Sequence, residues 1–132
     1  MARTALPATT LAPNSAIVAP AGTAIDQANG MNVAVVTTAI PTAPNTQQMV
    51  LFVVNTVAAA KNVVIRAGAS TYNTPAFRAA IGDLTVTVGA SGSAYIGPFE
   101  SARFAQADGS LNIDFGAAMT GTITAFLVPQ RF

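Results

Sequence analysis

Leu84-Thr85-Val86-Thr87-Val88 alternates leucine and valine with threonine over its whole length. A two-residue period puts the apolar side chains on one face of an extended chain and the hydroxyls on the other, the pattern of a half-buried β-strand. Gly89-Ala90-Ser91-Gly92-Ser93 closes it as a turn. Short segments of the same kind follow at 94–96, 102–105, 111–115 and 120–128, with Asp108-Gly109 as a turn signal between two of them. Upstream, Met49–Val54 is apolar at every position, as expected of a central strand covered on both faces. Asn62–Arg66 is the next β-branched segment, and the two read as a hairpin joined by a loop through Val57-Ala58-Ala59-Ala60-Lys61. Met31–Thr38 alternates more loosely before Pro41 and Pro44. Helix is confined to two short stretches, Asn73–Ile81 with Pro75 in a first turn and the alanines near position 58.

This punctuation predicts an all-β protein, an antiparallel β-sandwich or jelly roll of about seven to nine short strands. Residues 1–15 carry Pro7 and Pro13 among small residues and threonines with no period. They are expected to form an extended N-terminal arm rather than a packed element, leaving residues 16–132 as the single β-sandwich domain.

The 132 residues suit one domain. Only 8% of them are charged, against ~25% in an average soluble domain, and Ala, Thr and Val stand in place of the missing charge. A surface this neutral is poorly protected against association, so the composition points to a chain that works bound to something. There is no histidine and no cysteine, which removes the usual general base, the usual metal ligand and the thiolate nucleophile. Enzymatic activity, a cofactor and a metal site are therefore not expected. Six basic residues are scattered singly, so nucleic acid is not an expected partner. The strongest apolar run, Met49–Val54, falls far short of the ~20 residues of a spanning helix, and Pro7 interrupts the N-terminus before a signal-type apolar stretch can form. No membrane association is expected.

The oxygen-bearing run Asp108-Gly109-Ser110-Leu111-Asn112-Ile113-Asp114 superficially resembles a calcium loop, but it lacks the glycine and the bidentate glutamate that an EF-hand requires. A turn leading into a strand, with Asn112 and Asp114 toward solvent and Leu111, Ile113 and Phe115 toward the core, explains it better. Asp83, Glu100, Asp108 and Asp114 could supply a carboxylate pair for glycoside hydrolysis, yet nothing sets any two of them at a defined separation. Arg66, Arg78, Arg103 and Arg131 are isolated guanidinium groups, either solvated or anchoring an interface. Phe52, Phe104 and Phe115 are assigned to the core, and Phe126, Arg131 and Phe132 to an interface.

Several of these features occur in a familiar order: Leu51-Phe52-Val53-Val54-Asn55, Ala58-Ala59-Ala60, the alternating strand, Ile96-Gly97-Pro98-Phe99, and Asp108 to Phe115. Over roughly residues 25 to 128 this resembles the small head decoration proteins of tailed bacteriophages, particularly those of actinobacterial siphophages. The resemblance implies a β-sandwich made in the host cytoplasm that binds the outer surface of an icosahedral head and cements neighbouring capsomers. Its partners would be the major capsid protein and other copies of itself, with trimers the expected cluster. On that reading the arm, with Arg3, Thr4 and Leu6, is assigned to shell or neighbour contact, beside Phe126, Arg131 and Phe132. Gly97 and Pro98 are assigned a structural role, an unusual backbone angle followed by the end of ladder pairing. A carbohydrate-binding or adhesin-like β-sandwich on a virion surface is the alternative, weakened by the absence of Trp and the presence of only Tyr72 and Tyr95. A tail or head–tail connector subunit is the third reading, and would be expected to close into a ring.

Overall fold

The structure, a computed structural model, describes residues 2–12, 14–34, 49–68 and 78–128. Within these the chain is nearly all β, with two mixed sheets and one short helix. The strands are β1 (Thr4–Ala5), β2 (Ala8–Thr10), β3 (Thr23–Ala24), β4 (Met31–Val33), β5 (Met49–Asn55), β6 (Lys61–Ile65), β7 (Leu84–Val88), β8 (Ser93–Ile96), β9 (Leu111–Phe115) and β10 (Gly121–Leu127). The helix α1 is a single turn, Ser101–Phe104. The first sheet runs β1-β4-β9-β6-β7, and the second runs β2-β10-β5-β8 with β3 also pairing with β10. Buried side chains from both sheets form one hydrophobic cluster, including Met31, Val63, Ile65, Leu111 and Ile113 from the first and Met49, Leu51, Val53 and Ile123 from the second. No helix among the described residues is long and apolar enough to cross a bilayer.

The alternating segments behave as their periods dictate. β7 holds Leu84, Val86 and Val88 inward and exposes Thr85 and Thr87. β9 buries Leu111, Ile113 and Phe115 and leaves Asn112 and Asp114 on the outer face, after a turn in which Asp108 accepts hydrogen bonds from the Ser110 amide and hydroxyl. At Gly97, φ is +123°, and a Cβ there would come within 2.5 Å of the Met49 carbonyl oxygen, so only glycine fits the exit from β8.

Four expectations are corrected. First, the sheets are mixed rather than antiparallel: β1 pairs in parallel with β4, and β2 in parallel with β10. Second, the N-terminal residues are extended but they are not an arm outside the packed domain. They supply an edge strand to each sheet, and Leu6, between them, is buried in the common core. Pro7 fits this crossing because β1 ends before it and β2 begins after it, so its missing N–H is not needed by either ladder.

Third, β5 and β6 do not form a hairpin; they belong to different sheets. Asn55 diverts the chain between them. It is 1% exposed, its Nδ2 donates to the carbonyls of Ala59 (2.9 Å) and Gly89 (3.0 Å), and its Oδ1 accepts from the Val57 amide (3.0 Å). These bonds fold residues 56–60 against the β7–β8 turn, which sends β6 to pair with β7 and β9. Fourth, residues 101–104 are a helical turn where a strand is expected, with Arg103 and Phe104 amides bonded back to the Glu100 carbonyl. The expected helix at Asn73–Ile81 is seen only as a 3-10 turn at Ala79–Ile81, residues 73–77 lying outside the described residues. The alanines at 58–60 form no helix.

Candidate functional site

Charge is distributed unequally over the two sheets. On the first sheet, Asp114 takes Arg3 at 2.5 Å and Arg66 at 3.4 Å, and Arg66 also reaches Asp83 at 2.9 Å. Arg78 pairs with Glu100, and Arg103 donates to the carbonyls of Gly82 and Asp83 while its guanidinium lies over the Phe104 ring. These arginines are neither freely solvated nor held out to a partner; they connect the protein's own loops. Such half-exposed pairs contribute little stability singly, but they consume the charge on this side of the molecule.

Beside the ion pairs lies a shallow depression of about 380 Å3 lined by Asn32, Gln106, Asp108, Ser110 and Asn112. Asn32 Nδ2 donates to Ser110 Oγ and Asn112 Oδ1, which fixes the orientation of the amides. The Ser110 hydroxyl and amide hold the Asp108 carboxyl below its ordinary pKa.

The strands of the second sheet contain no charged residue. Facing outward at one end are Phe126, Val50, Phe52 and Tyr95, brought side by side because Phe126 registers with Val50, and Phe52 with Tyr95. Phe52 and Tyr95 stack with ring centroids 4.6 Å apart, and Tyr95 is 73% exposed. Leu11, Val50, Tyr95, Phe126 and Val128 surround a depression of about 240 Å3. Thr124, opposite Phe52, is buried, with Gly22 closely opposed to it and to Thr122. The open part of the face is therefore apolar and aromatic, a composition that favours a protein contact.

The residues assigned to contact by the sequence fall in three places. Leu6 is 2% exposed and offers no surface, while Arg3 and Thr4 are engaged with Asp114 and Asp26 of the same chain. Phe126 lies on the apolar face. Arg131 and Phe132 lie outside the described residues, as do residues 35–48 with Pro41 and Pro44. Phe104 and Phe115 are in the core as expected, whereas Phe52, assigned to the core, points outward under Tyr95. The signal that could have separated them is in Met49–Val54 itself: one face of a strand needs only alternate apolar residues to fill a core, so Val50, Phe52 and Val54 are an excess that the interior does not require.

Thr4 pins the N-terminal strand to Asp26. Its hydroxyl donates to Asp26 Oδ2 (2.5 Å), Asn29 donates from its side chain and amide, and together these bonds lower the Asp26 pKa, Thr4 contributing most. A carboxyl whose pKa is lower folded than unfolded binds more protons in the unfolded state. Its contribution is full above the unfolded value and disappears as pH falls through the folded one. Acid is thus expected to loosen the strand below about pH 4. Thr4→Val should flatten that pH dependence, as read by amide exchange at residues 4–6 between pH 3 and 6. An unchanged profile in the variant would exclude the latch.

No known protein family, curated protein or solved structure matches the chain.

Proposed function

We propose that the chain is a structural virion protein that binds the outer surface of an icosahedral phage head and cements its capsomers, its two sheets forming a β-sandwich. The observation that carries this reading is the uncharged apolar face around Tyr95, Phe52, Val50 and Phe126 on one side of a molecule in which Arg3, Arg66 and Arg78 pair with its own carboxylates. A cement protein needs a neutral surface that becomes buried on assembly, and many modest contacts are multiplied by repetition over a lattice. The partners in this reading are the major capsid protein and further copies of the chain, arranged as trimers on the virion exterior.

Co-sedimentation of the purified chain with capsids that lack it tests the proposal, with bound copies counted per particle. Saturation at a multiple of the icosahedral repeat is expected. Failure to bind intact shells would discard the reading. Replacing both Tyr95 and Phe126 with Ala is expected to weaken shell binding by about 10–100-fold, because exposed aromatic anchors carry a large part of interface energy. Their fractional exposure predicts little change in the unfolding midpoint, so undiminished binding would move the contact off this face.

The polar depression at Asn32, Gln106, Asp108, Ser110 and Asn112 favours one second reading. Amides and hydroxyls of this kind suit a neutral, hydroxyl-rich ligand, as a glycan-binding β-sandwich on a virion would require. A glycan screen distinguishes it, with Asn112→Ala expected to abolish any binding found.

A further inference from the structure

The N-terminal segment has an unusual relation to the rest of the chain. Residues 4–5 lie on β4 and residues 8–10 on β10, so a stretch of seven residues borders both sheets. Its attachments beyond the ladder also go to distant positions: Thr4 amide to the Gly30 carbonyl, Leu6 amide to the Asn32 carbonyl, Arg3 to Asp114 and the Ile113 carbonyl, Thr4 to Asp26. The segment that joins it to β3, residues 11–22, is different in character. Residues 14–21 are all exposed, and the Leu11 amide bonds to the Leu127 carbonyl at the segment's start.

Ile17 and Val18 are 42% and 93% exposed, so Val18 in particular is a β-branched apolar residue with most of its side chain in water. Asn14 takes the left-handed region, φ +54°, which asparagine tolerates and an extended connection would not need. Extended, residues 11–22 reach up to ~40 Å, enough to carry residues 2–10 to a neighbouring molecule.

We propose that residues 2–10 exchange between copies: the N-terminal segment of one chain lays its two strands on β4 and β10 of a second chain, which returns its own. The grooves are those already filled within one chain, so every hydrogen bond, the Leu6 burial and the Arg3–Asp114 pair are regained, and exchange needs no new recognition surface. What differs is the connection. In a reciprocal pair the two copies of residues 11–22 pass each other about the two-fold axis, where Ile17 and Val18 of each cover those of the other. Because the same contacts compete within and between chains, concentration decides the outcome. The exchanged form gains as copies approach the millimolar effective concentration of a tethered segment, a condition that crowding on any assembled surface would meet. The inference does not depend on the shell reading, and its test uses the purified chain alone.

The chain has no cysteine, and Ala5 is aligned with Asn32 across the β1–β4 pair. Ala5→Cys and Asn32→Cys are made as separate chains, unfolded, mixed, refolded together and treated with a short bis-maleimide. Covalent dimer in excess of that given by either chain alone is expected, because only an exchanged segment brings the two thiols together. Its ratio to monomer should rise about tenfold between ~0.1 and ~1 mM. The double variant carrying both cysteines reports that the pair is within reach, closing inside one chain at low concentration and between chains at high concentration. Closure inside one chain at every concentration, with no excess dimer from the mixed chains, would overturn the exchange. Ile17→Ser with Val18→Ser in both chains should lower the dimer share several-fold, and an unchanged share would overturn the pairing of the connections.

Discussion

Asn55→Leu is expected to cost about 3–5 kcal/mol, lowering the midpoint of thermal unfolding by roughly 10–20 °C. Leucine keeps the branched outline of asparagine but is larger, so no cavity is made and overpacking at this buried site adds to the loss of the hydrogen bonds. The Val57 amide and the carbonyls of Ala59 and Gly89 lose their partner; Asn55 itself is 1% exposed, Val57 is half-buried, and Ala59 and Gly89 are exposed. A buried donor or acceptor left unpaired costs about 1–3 kcal/mol. The larger consequence is topological, since Asn55, together with the bond from the Ser91 amide to the Val57 carbonyl (2.9 Å), fastens residues 56–60 to the β7–β8 turn as the chain departs toward the first sheet. Urea unfolding followed by circular dichroism gives the difference. A loss below ~1 kcal/mol would mean that solvent replaces the amide, and that β5 and β6 are kept apart by packing alone.

Gly121→Val is expected to prevent the second sheet from closing, at a cost above ~4 kcal/mol. Gly121 begins β10 at φ +137°, directly opposite Asn55, and a Cβ built there overlaps the Val54 carbonyl oxygen. The obstructing atom belongs to the backbone of the central strand β5, which cannot turn aside as a side chain would. Gly82 is the internal comparison, because its φ is +92° but a Cβ would meet nothing within 4 Å. Gly82→Ala therefore carries only the conformational penalty, about 1–3 kcal/mol. Soluble yield and urea midpoints of the two variants measured side by side check the difference, and equal losses would show that steric overlap at Gly121 is not what matters.

Strands whose own side chains encode their environment were legible in the sequence. β7 and β9 alternate, and β10 and β5 are long and apolar enough to be central, so the all-β class and most inner strands follow from periodicity alone. β1 and β2 were not legible because two or three residues cannot show a period, and because their partners lie far along the chain. Sequence adjacency misled at β5 and β6, where one buried side chain overrides the tendency of neighbouring strands to pair. The four residues of α1 are likewise too few for a helical repeat to register. The apolar face was half legible. Phe126 could be placed on it from strand alternation, but Phe52 and Tyr95 meet only through the register of β5 with β8, which no local pattern specifies.

The partners of β2 have a consequence for how the protein is made. Ala8–Thr10 leave the ribosome long before Ala125–Leu127, the residues to which they bond. β10 is also the strand on which β3 and β5 lie, so the second sheet cannot be completed until residues 121–127 have been made. The nascent chain must carry the apolar Met49–Val54 stretch without β10 until residues 121–127 are made, with β8 available somewhat sooner. Pairings of such sequence separation fold slowly and leave hydrophobic segments exposed meanwhile. Chaperone occupancy during elongation, and sensitivity of yield to expression temperature, are therefore set by topology more than by final stability.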